Sequence, residues 1–284
     1  MPAQTKTNFK SQLKIAYLCD FSPLDRNFYS GGHARIYDAL QKHVGNVHIL
    51  DTRWHAAEPL RKLVLALPEK LTLRLRWRLH LLLAPLIVRG VRREIAAGNF
   101  DVVFCAYSMQ SIYRLKSPVP VVFTSDATPM TYKHSRIGQS FGSFLSISRL
   151  FDPLIQRAEK SALGDCDLLL WPTEWIKSCA DSPYNLAPDR SIVVPWGANI
   201  QTPPREVNPP TLLPDAPVRL LFVGRDWFAK GGPTTHQTLL HLRAKGVDAR
   251  LTVIGCVPPQ DTVTEGVTVH AELNKEIPED LALF

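Results

Sequence analysis

Short apolar runs alternate with longer amphipathic stretches along most of this chain. Strands are predicted at Lys14 to Cys19, Val47 to Leu50, Asp101 to Cys105, Val119 to Thr124 and Cys166 to Leu170. Leu220 to Val223, Ala249 to Gly255 and Val267 to His270 read the same way, and the first of these is the kind of run a fully buried strand needs. Helical periodicity predicts helices over 33–43, 144–164, 173–180 and 235–244, with another starting at Pro278. Thr173 is placed to cap its helix. Strands that alternate with helices give an α/β class with parallel sheets. Residues 201–217 are dense in proline and form a semi-rigid linker. The boundary falls there, between a domain over 12–200 and a second over 218–284.

One stretch breaks the pattern. Residues 58–97 are rich in Leu and Arg, with imperfect periodicity, and Pro68 and Pro85 are expected to split them into two or three helices. Over 60–93 the cations are Arg61, Lys62, Lys70, Arg74, Arg76, Arg78, Arg89, Arg92 and Arg93, against Glu69. Two readings fit: a basic amphipathic surface on anionic lipid with Trp77 at the interface, or a helix packed on the sheet with solvated arginines.

Apolar residues make up 45% of the 284 and charged ones 21%, so a folded, water-soluble class fits and a disordered one does not. A net charge of +7 suggests an anionic partner. Nucleic acid is disfavoured, because no recognition motif accompanies the cations. Cys19, Cys105, Cys166, Cys179 and Cys256 are scattered, without zinc spacing or a disulfide framework, which points to a reducing, cytoplasmic setting and no metal. The N-terminus has no apolar signal segment, and the apolar stretch at 79–88 is interrupted by His80 and Pro85, too short to span a bilayer.

The most informative stretch is 218–246. A strand leads into a turn with Gly224, Gly231-Gly232 follow, and Pro233 suits a helix start. A helix mouth after a glycine-bearing turn favours an anion, and Arg225 and Lys230 flank it. A diphosphate is the sharp reading; two solvated cations in an ordinary loop is the plain one. Gly31-Gly32 stand between the first strand and the 33–43 helix, where they allow close approach or merely a tight turn, and the dinucleotide fingerprint GxGxxG is missing. Asp126 follows the fourth strand, where open α/β sheets place ligand chemistry, though an Asp there also serves as a turn residue. His134 reads as a surface residue.

Val223-Gly224-Arg225-Asp226-Trp227 with Lys230-Gly231-Gly232 resembles the start of the second domain of glycosyltransferase family 4, which has the GT-B fold. RAEKSALGDCDLLL at 157–170 and the strand-and-turn at 191–199, ending in Asn199, are similar to that family's first domain. The resemblance implies a complete Rossmann-like N-terminal domain and the first part of a second one. It implies that Arg225 and Lys230, with Gly224, hold the diphosphate of a nucleotide-sugar, without metal or other cofactor. Gly31 and Gly32 match a loop facing donor and acceptor, and Asp126 matches a catalytic His or Asp beside the transferred sugar.

The family's paired glutamates and closing helix are expected beyond the last residue here, so the chain reads as shortened, whether a fragment or naturally so. The leading expectation is a retaining glycosyltransferase that moves a sugar to a sugar, lipid-linked or small-molecule acceptor in the interdomain cleft, cytoplasmic or peripheral at the inner membrane face. Open alternatives are a catalytically silent chain that binds membrane or a partner through 60–93, and another GT-B enzyme such as a sugar-nucleotide epimerase.

Overall fold

In the computed structural model, strands assemble into two separate sheets in which each neighbouring pair runs parallel. It describes residues 13–281 and 283, apart from 27, 52, 68, 141–145 and 200–215, and only the backbone at 69–75, 77, 137, 140 and 146–148. The first sheet comprises β1 (Leu13–Leu18), β2 (Gly45–Ile49), β3 (Val102–Ala106), β4 (Val121–Thr124), β5 (Leu168–Trp171) and β6 (Ser191–Val193). The second comprises β7 (Val218–Val223), β8 (Ala249–Ile254) and β9 (Val267–His270). The helices are α1 (Gly32–His43), α2 (Glu58–Leu65), α3 (Glu69–Gly98), α4 (Met109–Ile112), α5 (Pro129–His134), α6 (Arg136–Ser140), α7 (Asp152–Gly164), α8 (Glu174–Tyr184), α9 (Gly232–Ala244) and α10 (Pro278–Leu281). The chain divides into two units, 1–199 and 200–284. The proline-rich linker lies outside the described residues except at its last two positions.

Strand order in the first unit is β2-β1-β3-β4-β5-β6. The order reverses between β1 and β3, and the carboxyl ends of strands flanking such a reversal are the place where doubly wound sheets bind ligands. Alternation along the strands builds two cores. Ala16, Leu18, Val103, Cys105, Val121, Phe123, Leu169 and Trp171 face one side and pack with residues of α3, α7 and α8. Ile15, Tyr17, Cys19, Phe104 and Ala106 face the other side and pack with Ile36, Tyr37 and Leu40 of α1.

Two expectations about helices are corrected. Pro85 does not break its helix: α3 runs through it. Pro85 lies on the exposed face, while Leu81, Ala84, Ile87, Val88, Val91 and Ile95 form a buried stripe at helical spacing. An interior proline costs about 3 kcal/mol. Burying five large aliphatic side chains returns on the order of 10 kcal/mol, so packing wins. The single helix expected over 144–164 is two elements, a 3-10 turn at Ser146–Phe151 and then α7, because Pro153 is suited to a helix start and unsuited to an interior.

In the second unit α9 covers one face of the sheet, where Phe222, Trp227, Leu239, Ala249, Leu251 and Val253 form the core. Leu221 and Val223 point to the other face and are exposed, so β7 is half-buried and not the fully buried strand its apolar run suggested. Leu, Val and Phe in succession give no period-2 signal, so the run alone could not reveal which face was covered.

Candidate functional site

The loop after β7 is pinned by Trp227. Its ring is buried and lies 5.0 Å from that of Phe222. Its carbonyl accepts from Gly232 N at 2.7 Å, and a Cβ on Gly232 would come within 2.1 Å of the indole. Asp226 closes the turn, accepting from Ala229 N through its side chain and from Lys230 N through its carbonyl. Gly231, with φ of 86°, is the N-cap of α9 and offers no side-chain cap. Arg225 and Lys230 are exposed on this fixed frame. The stem of Lys230 crosses Gly224 so closely that a Cβ there would sit 2.8 Å from Lys230 Cγ. Gly224 and Lys230 are therefore in contact at the carboxyl end of β7, with Arg225 next in the chain.

In the first unit, the predicted glycine pair lies between β1 and α1, on the carboxyl side of the sheet where the strand order reverses. Gly31, with φ of 84°, is the N-cap of α1. It follows Tyr29 and Ser30, which are also left-handed, with φ of 51° and 55°. For non-glycine residues that conformation costs about 1–2 kcal/mol each, and such strain persists where surrounding contacts enforce it. Gly32 is packed against Tyr107 and Asn199: a Cβ would meet the Tyr107 hydroxyl at 2.6 Å and Asn199 Nδ2 at 3.4 Å. Asn199 thus lines the glycine turn. Tyr107 is itself left-handed, with φ of 63°, and its N–H donates to Thr124 O.

A buried polar cluster that sequence reasoning missed holds the ends of β1 and β3 together. Asp20 N donates to Ser108 Oγ at 3.0 Å, and the Asp20 carboxylate accepts from Ser111 Oγ at 2.9 Å and from Gln110 Nε2. Arg76 donates to Asp20 O at 3.0 Å and lies 4.0 Å over the Phe21 ring, while His80 Nδ1 stands 3.8 Å from the carboxylate. The one available signal was position, since Asp20 follows its strand much as Asp126 follows β4.

Around this cluster stands a group of rings. Tyr29 and Tyr107 stack at 4.1 Å and 7°, and Trp196 meets Tyr107 edge-on at 5.3 Å while donating from Nε1 to Thr124 Oγ1 at 3.2 Å. His33 is fully buried among Tyr17, Tyr29 and Tyr107, and neither of its ring nitrogens has a hydrogen-bond partner. Burial pushes His33 down to about 4, against an upward pull from Asp20. Burial likewise lowers His80.

Asp126 is exposed in the turn after β4. The cap of α5 is Thr128, which accepts from Thr131 N. Burial raises the phenols of Tyr107 and Tyr132, and in both the Asp126 charge is the next cause. Asp126 and Asp20 both act on Tyr29 in the same direction, after burial. His134 is exposed at the end of α5.

The basic segment is partly spent on the protein itself. Arg61 pairs with Glu58, Arg76 serves the Asp20 cluster, and Arg92 donates to the carbonyls of Leu115 and Arg114. Trp77, Lys70 and Arg74 lie outside the described side chains. Among the described residues no helix is long and apolar enough to cross a membrane, and no group of three or more His, Cys, Asp or Glu could hold a metal ion. All five cysteines are free thiols; Cys19, Cys105 and Cys166 are buried, which pushes Cys19 up to about 12 and raises the other two, whereas Cys179 and Cys256 are half-exposed.

Among solved structures, sucrose-phosphate synthase from Thermosynechococcus elongatus is similar over 93% of this chain and 72% of its own, at 15% identity and a TM-score of 0.55. The glycosyltransferase SnogD from Streptomyces nogalater matches 92% of this chain and 72% of its own at 14% identity, with a TM-score of 0.38. The calicheamicin glycosyltransferase CalG4 matches 92% and 71% at 12% identity, with a TM-score of 0.37. At these identities the likeness is one of fold, and the sucrose-phosphate synthase match carries it: the architecture is of the GT-B type. No curated protein matches the sequence. The family model for Glycosyltransferase Family 4 matches residues 34–202, more than half of the chain. The protein belongs to glycosyltransferase family 4.

Proposed function

We propose that the protein is a retaining glycosyltransferase that takes a sugar from a nucleoside diphosphate donor to an acceptor hydroxyl. The observation that carries this reading is the turn after β7, where a glycine accommodates the Lys230 stem, Arg225 stands next to it and α9 opens without a side-chain cap. In the reaction the anomeric C–O bond to the diphosphate breaks and the diphosphate leaves with the electron pair. The acceptor oxygen forms the new bond and its proton passes to the departing diphosphate oxygen. Arg225 and Lys230 stabilise the charge that builds on the leaving diphosphate, a task fixed cations perform without a required metal. Gly224 gives Lys230 its path, and Gly31 and Gly32 let the first-unit loop approach the ligand. Asp126 is the catalytic carboxylate that orients the acceptor hydroxyl or polarises the transferred sugar.

The test is calorimetric titration of UDP, GDP and ADP into the protein and into the Arg225→Ala, Lys230→Ala double variant. One diphosphate should bind, and the double variant should bind it at least about a hundredfold more weakly, two charge-assisted contacts at about 1.5 kcal/mol each. Equal affinity would remove both cations from the donor site.

A second reading is favoured by exposed leucines on the basic segment. Leu63, Leu65 and Leu67 are exposed at and just after the end of α2, next to Lys62, and Leu82 and Leu86 are exposed on α3. On this reading the segment docks on anionic lipid, whether or not the chain transfers sugar. Co-sedimentation with vesicles rich in phosphatidylglycerol should then fall as salt rises, and Leu63→Ser with Leu65→Ser should abolish it. Sedimentation that ignores both changes would remove lipid from the list of partners.

A further inference from the structure

The geometry points to a carbohydrate acceptor: Tyr29, Tyr107 and Trp196 form a platform for the ring of an acceptor sugar, and Asp126 binds its hydroxyls. This rests on the glycosyltransferase reading and names the substrate class that reading leaves open.

Four observations converge. The platform stands at the reversal of strand order between β1 and β3, where a sheet of this kind has its ligand crevice. Its two stacked tyrosines both sit on left-handed backbone, Tyr29 at 51° and Tyr107 at 63°. Neither segment adopts that conformation by preference. The backbone at Tyr107 is tied by its N–H to Thr124 O, and its neighbours Ser108 and Ser111 are bonded to Asp20.

The outermost ring is also accessible. Tyr29 is 41% exposed, and Asp126 is exposed two residues after Thr124, whose carbonyl accepts from Tyr107 N and whose hydroxyl accepts from Trp196 Nε1. Trp196 is half-buried, with its indole N–H already committed to Thr124, so its remaining role is to offer ring surface. Flat aromatic faces beside a carboxylate and phenol hydroxyls suit a molecule that is apolar on its C–H face and rich in hydroxyls at its edge. That description fits a sugar ring.

Saturation-transfer NMR on the full chain tests this. The aromatic protons are irradiated in the presence of methyl α-D-glucopyranoside, methyl α-D-galactopyranoside or methyl α-D-mannopyranoside, with 4-nitrophenol as the aromatic probe. Ring C–H protons of at least one glycoside should receive saturation. Tyr29→Ala should weaken that binding about fivefold, as expected for one lost aromatic contact, and Tyr29→Phe should restore it. Tyr29 is exposed, and the amide spectrum of each variant checks that it remains folded.

Saturation of 4-nitrophenol alone, of no glycoside, or of a glycoside that ignores Tyr29→Ala overturns the proposal. UDP titration of the unaltered protein separates this outcome from a failure of the parent reading. If UDP binds while the glycosides stay silent, only the platform falls. If a glycoside binds through Tyr29 while no diphosphate binds, the donor assignment falls and the platform stands.

Discussion

α1 and α9 open on the same device and use it for opposite ends. Each begins with a left-handed glycine as N-cap, Gly31 at 84° and Gly231 at 86°, followed by a second glycine that an aromatic ring touches. In the second unit the ring is local and buried: Trp227 lies five residues before Gly232 and fixes the loop from within. In the first unit the ring comes from far along the chain. Tyr107 reaches Gly32 from the end of β3, is only half-buried, and carries other rings on top of it. The third residue differs too: Pro233 cannot ionise, whereas His33 is a buried, unpartnered imidazole. One helix mouth is pinned by a buried ring from its own loop; the other rests against a half-buried ring from a distant one.

The largest effect should come from the pinned mouth. Gly232→Ala drives a Cβ into an indole that has no room to move, and should cost roughly 3 kcal/mol or more, read as a lower urea midpoint for the second unit. If the variant melts like the parent, the Trp227 pin is not rigid and the contrast between the two mouths fails.

Acid should act on the first unit. His33 stays neutral in the fold down to about pH 4, while a histidine in the unfolded chain binds its proton near 6.5. Between those values the unfolded state holds more protons. Stability is therefore complete above about pH 6.5 and declines as pH falls toward 4, by about 3 kcal/mol from this residue. His80 acts in the same direction. Denaturation at pH 7 and pH 4.5 should show a loss in the parent that shrinks in His33→Phe; an unchanged loss would move the acid sensitivity elsewhere.

The smallest change belongs to Gly32→Ala. Its new methyl meets the far end of a half-buried tyrosine, which can swing, so about 1 kcal/mol is expected. Its sharper readout is the tyrosine fluorescence or near-ultraviolet dichroism of the Tyr29–Tyr107 pair. A stability loss as large as that of Gly232→Ala would make the two mouths equivalent.

What the sequence shows and hides follows from the range of the interactions. The β9 run at 267–270 and the cap at Thr173 are local, and the structure has them where the residues predict. The basic stretch around Pro85 was misread because the stripe that carries α3 through the proline is defined by burial against distant strands. Gly31, Gly32, Gly224, Arg225, Lys230 and Asp126 could be singled out because each stands at a strand-to-helix turn. Tyr29, Tyr107 and Trp196 could not. Their contacts join three loops far apart in the chain, and a tyrosine in a loop carries no mark of the ring it will meet. Asp20 was hidden for the same reason, since its partner Gln110 is 90 residues away.

The cysteines have a practical consequence. Three thiols are sealed in the first unit's core and burial keeps them protonated, while the two half-exposed ones fall one to each unit: Cys179 on α8 and Cys256 just after β8. Maleimide dyes would therefore mark each half of the unaltered chain once. Energy transfer between them would follow, in real time, whether adding a nucleotide changes the distance from one half to the other.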